Sequence, residues 1–446
     1  MENVVYSFDL GASKLRLVVA EPALGKPFDM NILAAEESSF KGMKRGQVFD
    51  MEKVSFEISN IISRVDKTVK KKCGSAKQHF CINIGARLYK LEYKNKSYEV
   101  GQKAVTEQML RKFQEDIKGT LSDDSNSVIL DSYPVSYSFD NAPEIESPIG
   151  CAGKELHIKS IIISTTTSIV NSYNSLFENT NNFDLLLPTA SSKLNVLLSP
   201  QQKKATFALV DFGAGIISVA VSKNGKVIND TTIPLGSSLV TEDIASGLEI
   251  TQEEAEFVKC NLNRVLTRKE RYLEIRMKGK EEGFNVDVKK LNFIVQARIN
   301  ELVAYINSAL SKSYVLNDLE AVYLAGDGSK LYGFKEALAK NLSSLEKLNN
   351  RVVLLKEGDY SDPVIFNYAG AVGVASAYIE RKLSFWTPQI QFSEVEDKVE
   401  EKVKEEQPPK ETDSKEKAKQ KERWSLGKII DKATEKLFSQ EDGDDI

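Results

Sequence analysis

The chain of 446 residues has only two histidines, His79 and His157, so a His-rich metal site is not expected. Its four cysteines (Cys73, Cys81, Cys151, Cys260) show no CxxC spacing and read as reduced thiols of a cytosolic protein. No run approaches the ~20 apolar residues that span a bilayer. The opening Met1 to Gly11, MENVVYSFDLG, lacks the basic start and long apolar centre of a signal peptide. Any membrane contact is therefore expected to be peripheral. An excess of one charge is missing too: the formal net charge is −4, which gives no electrostatic reason to expect nucleic acid as a partner.

What is present is an α/β alternation in two similar halves. Val4 to Leu10 is an apolar strand run ending in a Gly turn, and Leu15 to Ala20 is a second strand. Val54, Ile58, Ile61, Ile62, Val65 and Val69 recur at helical spacing. About two hundred residues later the opening repeats. Phe207 to Asp211 is a strand run, Gly213-Ala214-Gly215 a turn, and Asn224-Gly225 joins two further strands with a type I′ hairpin signature. Such a repeat predicts a duplicated domain. After Pro388 the composition changes. Glu394 to Lys421 is almost all Glu, Lys, Asp and Gln, which cannot bury enough apolar surface to offset its ordering entropy. A flexible charged linker is expected there, spanning on the order of 30 Å as a coil.

Three short motifs carry chemistry. Asp9-Leu10-Gly11-Ala12-Ser13-Lys14 and Asp211-Phe212-Gly213-Ala214-Gly215 each end an apolar strand with a carboxylate and open a tight glycine turn. Glycine lets backbone N–H groups approach a phosphate, and a strand-end carboxylate can hold a divalent ion beside it, usually through water. The third is the apolar strand Ala321 to Ala325 followed by Gly326-Asp327-Gly328-Ser329, a turn on which a flat nucleoside can lie. Each is weak alone; two matching turns in matching halves are hard to dismiss.

In this order the three motifs resemble the phosphate-1, phosphate-2 and adenosine motifs of the actin, sugar-kinase and heat-shock-chaperone ATPases. Phe40 to Asp50, Ser147 to Gly153, Thr241 to Gly247 and Ala255 to Lys259 narrow the resemblance to the FtsA family of cell division proteins. The resemblance implies an α/β actin-like duplicated ATPase fold with an inserted IC-type subdomain. Subdomain IA would take 1–83, with returns at about 165–205 and 357–387, and the insertion 84–164. Subdomain IIA would take 206–259, with a return at about 317–356, and IIB 260–316. The charged linker would cover 388–422 and a membrane-targeting helix 423–440. It further implies ATP and Mg²⁺ in the cleft between the halves. Gly11, Ala12, Ser13, Lys14, Gly213 and Gly215 would surround the phosphates, Asp9 and Asp211 would face the metal, and Glu256 and Lys259 would contact ribose and adenine. Gly326, Gly328 and Ser329 would face the nucleoside. The sequence departs from the family at Gly215-Ile216-Ile217-Ser218, where Gly-Thr-Thr-Asp is usual, and at Ala12 and Asp327. Fewer donors predict weaker nucleotide binding and slow or absent turnover.

The C-terminal stretch Arg423 to Phe438 is amphipathic. Leu426, Ile429, Ile430, Ala433 and Leu437 share one helical face, Lys428, Lys432 and Lys436 flank it, and Trp424 and Phe438 suit an interface. An anionic membrane surface fits that pattern. The resemblance also implies the C-terminal peptide of FtsZ as a partner at Arg298, Asn300 and Glu301, near the basic stretch Arg264 to Lys280. It implies self-assembly into protofilaments and recruitment of later division proteins. The location would be peripheral, on the cytoplasmic face of the inner membrane at the division site. A sugar or metabolite kinase of the same superfamily, or an FtsA-like pilus or secretion scaffold, remains the alternative.

Overall fold

The computed structural model describes residues 3–23, 25–39, 42–44, 47–119, 126–177, 182–280, 282–313, 316–342 and 351–383. The expected linker and C-terminal amphipathic helix lie outside them. The chain opens with an antiparallel meander, β1 (Asn3–Leu10), β2 (Lys14–Pro22) and β3 (Met30–Ser39). A ribbon of β4 (Met43–Lys44) and β5 (Gln47–Val48) leads into α1 (Met51–Cys73). Asp50 caps α1 by accepting from the Lys53 N–H. Then β6 (Lys77–Ile84) runs parallel to β1.

An insertion follows, formed by β7 (Lys90–Glu99), α2 (Glu107–Gly119), β8 (Ser127–Phe139) and β9 (Glu155–Thr166). Its three strands pair in the order β7-β9-β8. Val100, Leu110, Ile117, Phe139, Leu156 and Ile158 give it a small core of its own. The chain returns through α3 (Thr167–Ser175), β10 (Leu185–Pro188), α4 (Thr189–Leu197) and the single turn α5 (Pro200–Lys203).

The second half repeats the plan. Strands β11 (Thr206–Phe212), β12 (Ile217–Lys223) and β13 (Lys226–Ile233) form a meander. Asn224 and Gly225 both have positive φ, 52° and 74°, as a type I′ turn requires. Helices α6 (Ser238–Leu248), α7 (Gln252–Cys260) and α8 (Leu262–Leu266) come next, then the ribbon β14 (Tyr272–Ile275) and β15 (Phe284–Asp287), and the long α9 (Val288–Ser311). The half ends with β16 (Ala321–Ala325), α10 (Phe334–Leu342) and β17 (Val352–Leu354). Helices α11 (Pro363–Asn367) and α12 (Ala369–Tyr378) return to the first half. The two main sheets have matching orders, β10-β6-β1-β2-β3 and β17-β16-β11-β12-β13.

Strand parity explains where the acidic residues point. Successive side chains of a strand face opposite sides of the sheet. In β1, Val4, Tyr6 and Phe8 pack with α1, while Val5 joins the core around α4 and α12 and the Ser7 hydroxyl donates to the Ala371 carbonyl at 2.6 Å. Asp9 therefore shares the α12 side. In β11, Ala208, Val210 and Phe212 pack outward with α9, while Phe207 and Leu209 join the same central core as Val5. Asp211 thus faces inward as well. Between the sheets, α12 (AGAVGVASAY) is apolar apart from Ser376 and the Tyr378 hydroxyl, as a helix buried on nearly every side must be.

Glycine lets the central helices close up. A Cβ on Gly373 would lie 1.9 Å from the Ser192 carbonyl oxygen, and one on Gly370 would lie 2.4 Å from Asp9 Oδ2. These two positions hold α12 against α4 and against the end of β1. The insertion is fastened to the second half by tyrosines. Tyr93 donates to the Ile228 carbonyl at 2.8 Å, Tyr133 to the Val227 carbonyl at 2.6 Å, and Tyr89 to the Asp230 carboxylate.

Candidate nucleotide site

Both glycine hairpins close in the same way. The Gly11 N–H donates to the Lys14 carbonyl and the Gly213 N–H to the Ile216 carbonyl, each at 2.9 Å. The turn after β16 comes up beside the second hairpin. Gly326 has φ 82°, and a Cβ there would lie 2.5 Å from the Phe212 carbonyl oxygen and 2.7 Å from Asp211 Oδ1, so only glycine fits. The three turns open on one cavity of about 530 Å³ between the halves, within the roughly 300–1,000 Å³ range of small-molecule sites.

Of the residues singled out in the sequence, Asp9, Gly11, Ala12, Ser13, Lys14, Asp211, Gly213, Gly215, Glu256, Lys259, Gly326 and Gly328 all line this cavity. Ser329 does not. It is buried, and its hydroxyl donates to the Gly326 carbonyl at 2.6 Å, which tightens the turn from behind. Glu256 and Lys259 come from α7, whose first turn is fixed by a Thr251–Glu254 capping box. Lys259 Nζ donates to Glu256 Oε2 at 2.6 Å and to Thr241 Oγ1 at 2.9 Å, and Thr241 Oγ1 donates to Glu256 at 2.6 Å. Burial pushes the Glu256 carboxyl up, but Lys259 and Thr241 outweigh it and hold it below the usual range. This cluster is a rigid polar rim on which a ribose can hydrogen-bond.

Four further lining residues were not marked by any motif. Asn83 ends β6 and donates to Asp9 Oδ1 at 2.5 Å, while its own Oδ1 accepts from the Leu10 N–H at 3.1 Å. Arg16, two residues past Lys14, pairs with Glu37 at 2.9 Å, and Lys14 pairs with the same carboxylate at 2.7 Å. Asp230 on β13 accepts from Tyr89 and from the Ser218 hydroxyl. Burial raises its carboxyl to about 6 in spite of those bonds. Lys193 on α4 donates to Asp211 Oδ2 at 2.5 Å. Burial opposes its charge, but Asp211, then Asp9, raise its basicity above the ordinary lysine value.

The cleft fits a nucleotide better than a divalent ion. The glycine turns and the polar rim of α7 suit phosphates and a nucleoside. A hard cation needs several free oxygen ligands. Here Asp211 is held by an ammonium, one Asp9 oxygen by Asn83, and Gly215 is followed by two isoleucines. Among the described residues no group of three or more His, Cys, Asp or Glu is arranged to hold a metal.

The expected partner residues sit on α9. Arg298 makes a two-pronged pair with Asp243 of α6, at 2.5 and 2.8 Å, and also contacts Glu301. Asn300 is exposed and lines a shallow groove with Lys330, Tyr332, Lys335 and Lys340. The basic stretch before α9 is partly neutralised within the chain. Arg271 pairs with Asp287, Arg276 with Glu274 and Lys280 with Glu253. No described helix is long and apolar enough to cross a membrane.

Among known families, the cell division protein FtsA family matches residues 208–373, and the SHS2 domain inserted in FtsA matches residues 88–164. The chain is 23% identical over 405 residues to the cell division protein FtsA of Bacillus subtilis (strain 168), covering 88% of this chain and 89% of that relative. With the cell division protein FtsA of Streptococcus pneumoniae serotype 2 it shares 21% over 343 residues, covering 75% and 73%. Of solved structures, the PilM-PilN type IV pilus biogenesis complex aligns with a TM-score of 0.53 at 16% identity, covering 83% of this chain and 97% of that one. At that identity the likeness is one of fold.

Proposed function

The chain belongs to the FtsA family of actin-like cell division proteins, and on that premise we propose that it is a nucleotide-holding adaptor that tethers division filaments to the membrane. The carrying observation is that corresponding glycine hairpins of two duplicated halves open on one cavity. ATP bridging Gly11–Lys14 and Gly213–Gly215 ties the halves together and sets the shape in which copies stack. Turnover is slow or absent, because Gly215 is followed by Ile216 and Ile217 in place of hydroxyls near the phosphates. Tethering needs no turnover.

In this reading the α9 side of the second half receives the C-terminal peptide of FtsZ. Exposed Asn300 and the lysines of the groove from Lys330 to Lys340 suit an acidic peptide, with exposed Tyr332 as an apolar contact. The segment Arg423 to Phe438 supplies the lipid contact. Burying Leu426, Ile429, Ile430 and Leu437 contributes on the order of 4–8 kcal/mol before ordering costs, and each nearby Lys adds ~1 kcal/mol on an anionic surface. Such binding is reversible for one copy and strong for a filament that presents many helices. The protein then acts at the cytoplasmic face of the inner membrane, where later division proteins join it.

The test is co-sedimentation with anionic liposomes of the full chain and of a truncation ending at Pro388, with and without ATP and an FtsZ C-terminal peptide. Full-length protein should pellet and carry the peptide down, and the truncation should not pellet. Equal behaviour of the two chains would remove the C-terminal segment from the account.

A further inference from the structure

We propose that Lys193 is a built-in cation that takes the place of a divalent ion in the cleft, so that a nucleoside di- or triphosphate binds without one. The inference rests on the nucleotide reading above and deepens it by naming what neutralises the phosphates.

Lys193 Nζ lies 2.5 Å from Asp211 Oδ2, at the strand-end carboxylate where a metal would otherwise be held. Its side chain is 15% exposed, and it lines the same cavity as Asp9 and Asp211. A mostly buried ammonium keeps its charge best beside carboxylates, and both strand ends supply one. The group has three N–H donors. Asp211 takes one, which leaves two for phosphate oxygens entering between the hairpins.

Its helix holds the ammonium in place. The Ser192 backbone touches α12 at Gly373, so α4 cannot slide toward the interior. The other end of α4 is tied twice. Tyr360 donates to the Leu197 carbonyl at 2.8 Å and Lys203 Nζ to the Asn195 carbonyl at 2.6 Å. Gly370 of α12 against Asp9 ties the second carboxylate to the helix that α4 packs on. A charge held this way costs little reorganisation when the anion arrives. A single charge also polarises a phosphoryl group less than a divalent ion, which agrees with slow turnover.

The experiment is equilibrium binding of a fluorescent ATP analogue to the full-length chain, in excess EDTA and in millimolar MgCl2. The dissociation constant should differ less than about threefold between the two conditions. Lys193→Met should weaken binding in EDTA by about tenfold or more, the loss of a charge-assisted contact, with partial recovery in MgCl2. Lys193→Arg should keep most of the metal-independent binding. Wild-type binding that appears only with MgCl2 overturns the proposal while leaving the nucleotide site intact, and so does a folded Lys193→Met chain that binds normally in EDTA. Absence of binding in both conditions instead refutes the nucleotide reading itself. Should Lys193→Met fail to fold by circular dichroism, the wild-type comparison still decides.

Discussion

Replacing Gly373 by Ala tests the packing that positions the site. A Cβ there would meet the Ser192 carbonyl oxygen at 1.9 Å. The obstructing atom is backbone, so no rotamer change relieves it, and α4 and α12 must part. Overpacking against backbone this close falls in the upper part of the usual range, about 2–3 kcal/mol, and Ala in place of a helical Gly returns about 1 kcal/mol. The net loss is about 1–2 kcal/mol. With an unfolding entropy of ~2 cal/mol/K per residue, a unit as large as Met1–Pro388 should melt about 1–3 °C lower, if it unfolds as one. Gly358→Ala is the control, since nothing lies within 4 Å of the added atom; its stability should stay within about 0.5 kcal/mol. Because α4 carries Lys193, the Gly373 variant should also bind ATP more weakly in EDTA. Calorimetric melting of both variants decides the matter. A Gly373→Ala chain that melts at or above wild type, with an unchanged control, would refute the packing argument.

Other outcomes follow from the same contacts. The buried Asp230 carboxyl, raised to about 6, is easier to ionise in the unfolded chain. Folding stability should therefore fall as pH rises from ~4 to ~6, by up to about 3 kcal/mol from this group. Asp230→Asn should flatten that part of a urea-denaturation pH series, and an unaltered slope would contradict the assignment. Arg298→Ala should destabilise by about 1 kcal/mol through loss of the two-pronged pair with Asp243, whereas exposed Asn300→Ala should leave the urea midpoint unchanged. Ile430→Glu should abolish liposome pelleting of the full-length chain without altering its melting temperature, and pelleting at the wild-type level would exclude Ile430 from the lipid-facing side.

The duplicated halves were legible because their signals are local. The apolar strand runs Val4–Leu10 and Phe207–Asp211, the Asn224-Gly225 hairpin and the glycine turns are each written within a few consecutive residues. The cavity-lining residues that sit in those turns followed directly. Asn83 did not, because it reaches the cavity from β6, far in sequence from Asp9; Lys193 and Asp230 are nearer Asp211 in the chain, but neither sits in a glycine turn that would mark it. Ser329 was misplaced for a related reason. A hydroxyl beside a glycine turn looks the same in sequence whether it faces a ligand or braces the turn from behind. The Gly370-x-x-Gly373 spacing within an apolar helix was the available hint that α12 lies in close contact with its neighbours, and through α4 it bears on where Lys193 sits.

The central claim is that both halves clamp one nucleotide, and hydrogen–deuterium exchange with and without ATP tests it most directly. The account predicts slower exchange at all three turns together, around Gly11–Lys14, Gly213–Ile216 and Gly326–Gly328. Protection confined to one half, or none at any turn with saturating ATP, would contradict it.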